Sequence, residues 1–212
     1  MDYYMNSAGI SHPCIREYEV DTATDLFKGC VVTLALGKAK RAAEGDTVLG
    51  VLAEDYKVEK DELNHRAGSG KVKVIVSPGT ICIEKAPEFD VVTAGDAATV
   101  NVSGISMPSA ANALAGGFVK LVSKPEASAN KDGVGTLRRI TASSGTKLTV
   151  EQGGIPQPGD RYAIIPPAGF AHLAITNTGV GFATATSKNE KVVFAHPENA
   201  SFEIGFANTF FN

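Results

Sequence analysis

The chain has 212 residues, 43% of them hydrophobic and 20% charged, with a net charge of −3. That length buries enough surface to fold without disulfides or metals, and the composition excludes a disordered tail. The slightly acidic balance offers no field that attracts nucleic acid, and no apolar run reaches the roughly 20 residues that span a bilayer.

Residues 1–13 read as an extended N-terminal arm. The arm has neither the basic start nor the apolar stretch of a signal peptide, so synthesis and folding in a reducing cytoplasm are expected. Tyr3, Tyr4, Met5 and Ile10 are apolar groups on this arm that need something to pack against, either the chain's own domain or a partner. From Cys14 onward the apolar runs are short, β-branched and punctuated by turn residues. They predict strands at 14–20, 30–36, 47–54, 71–76, 79–85, 98–102 and 117–122, then at 135–142, 147–150, 161–165, 172–176, 181–185, 191–195 and 201–207. Val72, Val74 and Val76 alternate with Lys71, Lys73 and Ile75, the period of a half-buried strand. Helical signal is confined to one or two turns at Glu59–Arg66 and at Pro108–Ala115. Three strands are launched by Gly-Asp, at Gly45-Asp46, Gly95-Asp96 and Gly159-Asp160, where glycine supplies a positive φ and aspartate bonds the backbone two residues on. The polar segment 124–133 reads as a linker or exposed loop. The expected organisation is mainly β: a β-barrel or β-sandwich domain over 14–123, then a second β-rich part over 134–212, with only short helices.

Motifs that carry chemistry are missing. Cys14, Cys30 and Cys82 are odd in number and lack zinc or thioredoxin-like spacing; Cys30 and Cys82 sit among β-branched neighbours as small buried hydrophobes. The four histidines, His12, His65, His172 and His196, are scattered, and no calcium-loop spacing of acids occurs. Arg138 and Arg139 point to opposite faces of a strand and cannot form one phosphate clamp. No catalytic residue, cofactor or metal is expected, and the chain does not read as an enzyme. The C-terminal run is more informative. Phe202, Ile204 and Phe206 share one strand face, and Phe210 and Phe211 follow. They form either a final strand sealing the core or an aromatic patch facing another subunit.

Two stretches carry a resemblance. Lys28-Gly-Cys-Val-Val-Thr-Leu, Gly37-Lys-Ala, then Ala42-Ala-Glu-Gly-Asp-Thr-Val-Leu-Gly-Val-Leu-Ala-Glu-Asp55, resembles the small β-domain of head decoration (cement) proteins of tailed bacteriophages. Gly135–Val150, leading to Pro158–Ile164, is similar to a hairpin module of phage head and fibre proteins. The resemblance implies a virion structural protein, made in the host cytoplasm, that binds the outside of the capsid and stabilises it. The major capsid protein is then its partner, and a homo-oligomer, a trimer by family analogy, is its expected form. Nucleic acid and membrane are not expected partners. The expected capsid or subunit contacts are Tyr3, Tyr4, Met5, Ile10, Phe202, Phe206, Phe210 and Phe211. The alternative function is a receptor- or glycan-binding module of a head fibre, tail fibre or baseplate.

Overall fold

Val72, Val74 and Val76 are almost wholly buried while Lys71 is exposed, so the alternation written in the sequence sets the inward face of a strand. The computed structural model describes residues 2–6, 14–21, 25–42, 46–58, 69–76, 80–108, 110–170 and 190–206. Among them the fold is almost all β, built from antiparallel sheets. The predicted strands at 172–176 and 181–185 and the helical turns at 59–66 lie outside the described residues.

The first sheet comprises β2 (Ile15–Glu19), β3 (Val31–Ala35), β4 (Lys38–Arg41), β5 (Gly50–Leu52) and β6 (Lys71–Ile75), in the order β2-β6-β5-β3-β4. Its outer strands meet through a parallel bridge between Val20 and Ala39, reinforced by the Asp21 N–H donating to the Ala39 carbonyl at 3.1 Å. The sheet thereby curls into a half-barrel whose two edges touch at that bridge. Inside lies a core of Val20, Leu26, Val32, Leu52, Tyr56 and Val72 with their neighbours.

A second sheet of six strands comprises β8 (Glu88–Asp90), β9 (Thr99–Asn101), β10 (Phe118–Ser123), β11 (Leu137–Ser144), β12 (Lys147–Val150) and β13 (Arg161–Ile165), in the order β8-β13-β10-β11-β12-β9. A third joins distant parts of the chain. Here β7 (Thr80–Lys85) lies between β1 (Asp2–Asn6) and β15 (Ser201–Phe206), and β15 pairs in turn with β14 (Glu190–His196).

Strand pairing runs between residues of the two expected units, 14–123 and 134–212. β10 hydrogen-bonds to β11 and β13 across the 124–133 segment, and β7 pairs with β15. The packing crosses the sheets as well. Val31, Val48 and Val51, on the face of the first sheet opposite Val32 and Leu52, belong to the same apolar core as Phe89, Leu121, Ile140 and Phe202.

The turn expected to be helical at Pro108–Ala115 is a run of turns instead. Asn112 takes a left-handed φ of 59°, which interrupts helical geometry, and the segment is tied to β11 by Asn112 N–H donating to the Ser143 carbonyl at 2.8 Å.

Candidate functional site

Gly159, at a φ of 88°, turns the chain into β13 so that Asp160, Tyr162 and Ile164 share its inward face. Asp160 is completely buried, and a buried carboxylate requires donors. Its Oδ1 accepts from Ser128 Oγ at 2.7 Å; its Oδ2 accepts from Asn130 Nδ2 at 2.7 Å and from the Gln157 N–H at 2.9 Å. Asn130 Nδ2 also donates to the Tyr162 hydroxyl at 2.8 Å. Burial raises the Tyr162 phenol above its ordinary pKa, against the opposing pull of the Asn130 hydrogen bond.

A second knot adjoins the first. Arg138 is 3% exposed in β11; its Nε donates to the Glu151 carbonyl at 2.7 Å, its Nη1 to the Gly154 carbonyl at 2.9 Å and its Nη2 to the Ala97 carbonyl. Asp132 lies 3.7 Å from that guanidinium and accepts the Gly154 N–H at 2.8 Å. Lys124 Nζ donates at 2.7 Å to the carbonyls of both Asn130 and Asp132, so an ammonium sits where the 124–133 loop converges its oxygens. The loop closes tightly on its neighbour: a Cβ on Gly154 would stand 2.1 Å from Asn130 Oδ1.

Together these bonds tie three loops, 91–98, 124–135 and 151–160, into one platform. The Gly153 N–H donates to the Ala97 carbonyl at 2.9 Å, and the Gly159 N–H to the Val91 carbonyl at 2.8 Å. Asp96 caps its own turn by accepting the Ala98 N–H at 2.8 Å, and that bond lowers its pKa. Asn130, Arg138 and Asp160 act as internal struts, while Val134 and Ile155 project outward at 62% and 47% exposure beside the exposed Glu126, Lys131 and Glu151. Such an arrangement holds the three loops in one fixed geometry.

Beside the platform, at the edge strand β8, a cleft of about 320 Å³ is lined by Glu88, Asp90, Val92, Ser103 and Ile105, with Phe89 below. Glu88 is held by Lys85 at 2.9 Å and Arg161 at 3.0 Å; Asp90 stands 3.9 Å from Arg161 and remains largely exposed. Among the described residues no group of three or more His, Cys, Asp or Glu side chains is placed to hold a metal ion.

Of the expected contact residues, those that are described fall on β1 and β15, the two strands that flank β7. Tyr3, Tyr4 and Met5 belong to β1, whose backbone pairs with β7, with Tyr3 opposite Cys82 and Met5 opposite Ile81. Phe202 is 1% exposed and lines the core, which removes its side chain from any interface. Phe206 ends β15, its side chain outside the described set, and Ile10, Phe210 and Phe211 lie outside the described residues. The 124–133 segment, expected as a linker or exposed loop, contributes the buried Asn130 to the network. Sequence reading passed over Asp160 as a turn residue; its register, two positions before Tyr162 and four before Ile164 on an inward face, was the available signal. No protein-family model, no curated protein and no solved structure matches this chain.

Proposed function

We propose that this protein is a virion structural protein that binds the outer surface of a tailed-phage capsid and reinforces it. The observation that carries the reading is the braced loop platform. Its buried polar side chains are spent on rigidity, and Val134 and Ile155 stand outward among exposed charged residues such as Glu126, Lys131 and Glu151, a mixed face that suits adhesion to a repeating surface. The 28–55 stretch that resembles decoration proteins supports it from the other side. Leu49-Gly50-Val51 enters the sheet where a Cβ on Gly50 would meet the Ile75 carbonyl oxygen at 2.1 Å, so that glycine answers a structural demand. A decoration protein gains retention by multiplying modest contacts over a lattice, and a stiff β body loses little entropy at each one. The major capsid protein is then the partner, and the exterior of the virion the place of action.

Co-sedimentation with expanded, empty tailed-phage heads tests the proposal. Saturable binding that raises the temperature at which the heads break is the expected result, and Val134→Asp with Ile155→Asp should weaken it about tenfold or more. Absence of binding to heads, or capture by host cells or glycans instead, overturns it.

A further inference from the structure

The tip of the β3–β4 hairpin conflicts with the needs of the isolated fold. Two residues, Leu36 and Gly37, make the turn, with φ of 51° and 80°. A two-residue hairpin of this kind needs positive φ at both positions and favours Asn-Gly. Leucine there is unfavourable twice over: its backbone is held in the left-handed region, and its side chain is 104% exposed. Neither cost is offset within the chain, and local choices that oppose the fold are expected where a surface is used. Next to the tip, Lys38 is exposed, and it alternates along β4 with the buried Ala39.

The other half of a contact is present on the same molecule. The cleft at β8 has an apolar lining from Val92 and Ile105 and a carboxylate rim. Val92 is 69% exposed, second only to Leu36 among the exposed large apolar residues that are described. Of the two rim carboxylates, Glu88 is already neutralised by Lys85 and Arg161, whereas among the described residues Asp90 has only the longer approach of Arg161. A leucine followed at the second position by an ammonium fits a small cleft whose apolar part, Val92 and Ile105, lies beside the less neutralised carboxylate of Asp90.

We infer that the hairpin tip of one copy inserts Leu36 into the β8 cleft of a second copy, with Lys38 facing Asp90. The contact is heterologous, because the two surfaces differ, so it propagates from copy to copy until a ring closes or a chain grows. It is independent of the capsid reading, and its test needs no capsid.

Sedimentation equilibrium of the full chain up to about 1 mM, a range that reveals even weak contacts, reads the association. The parent should self-associate with rising concentration. Leu36→Asn should weaken association about tenfold or more while leaving the thermal midpoint equal or higher, because asparagine suits the turn. Lys38→Glu and Asp90→Lys should each weaken it by setting like charges together, and mixing the two variants should restore it by pairing opposite charges across the contact. A parent that stays monomeric throughout overturns the inference. So does association that Leu36→Asn leaves unchanged, or charge variants that the mixture fails to rescue.

Discussion

Asp160 illustrates how much a single buried group can decide. Its carboxylate joins Ser128, Asn130 and Gln157, which belong to two different loops. Asp160→Ala strands those donors in a dry interior and should cost about 3 kcal/mol or more in urea denaturation. Asp160→Asn keeps the volume and one acceptor and should cost less. The neighbouring Tyr162 provides a pH signature. Its folded-state pKa lies above the ordinary phenol value, so in the alkaline range the unfolded chain gives up a proton that the folded chain keeps. That contribution to stability is complete below about pH 10 and is lost as pH rises through the folded-state pKa. Tyr162→Phe should therefore flatten the alkaline decline of stability measured by denaturation across about pH 9 to 11, at the expense of about 1 kcal/mol for the lost Asn130 hydrogen bond.

Elements follow from spacing wherever the pattern is local. β5 and β6 approach closely at Gly50, where a Cβ would stand 2.1 Å from the Ile75 carbonyl oxygen. Gly50→Ala must push two hydrogen-bonded strands apart and should lower stability by about 2–4 kcal/mol, read from the denaturant midpoint. Most strands were legible because alternation and turn residues act over five or six positions: the periodic valines of β6 and the paired arginines of β11 both fall on the predicted faces. The short strands β4 and β8 were not. Lys38-Ala-Lys-Arg41 and Glu88-Phe-Asp90 are mostly charged, and their strand state comes from a partner's hydrogen bonds rather than from their own residues. The loop platform was hidden for a related reason. A segment such as 124–133 is polar whether it is solvated or folded over a lysine, and only its distant partners Asp160 and Tyr162 distinguish the two.

At the scale of the molecule, the first sheet is apolar on both faces around β3 and β5. Val32, Leu52 and Val72 fill its own interior, and Val31, Val48 and Val51 pack with the core of the remaining strands. Residues 14–76 cut out alone would expose that second face, an association hazard in water. The intact chain should therefore melt in one calorimetric transition with matching calorimetric and van't Hoff enthalpies, and the excised fragment should aggregate or stay partly unfolded. Two separated transitions in the intact chain would show that the shared core couples the sheets only weakly.

The position of β7 between β1 and β15 fixes a timetable for biosynthesis. Ile83 has Asp2 on one side and Glu203 on the other, so one neighbour emerges from the ribosome long before it and the other long after. At ordinary elongation rates the interval between β7 and β15 is on the order of 10 s. During that wait β7 carries an open row of backbone donors and acceptors, which any passing extended chain can occupy. β14 and β15, translated long after β7, thus act as a latch, and nascent chains halted before residue 201 are the species most in need of a chaperone.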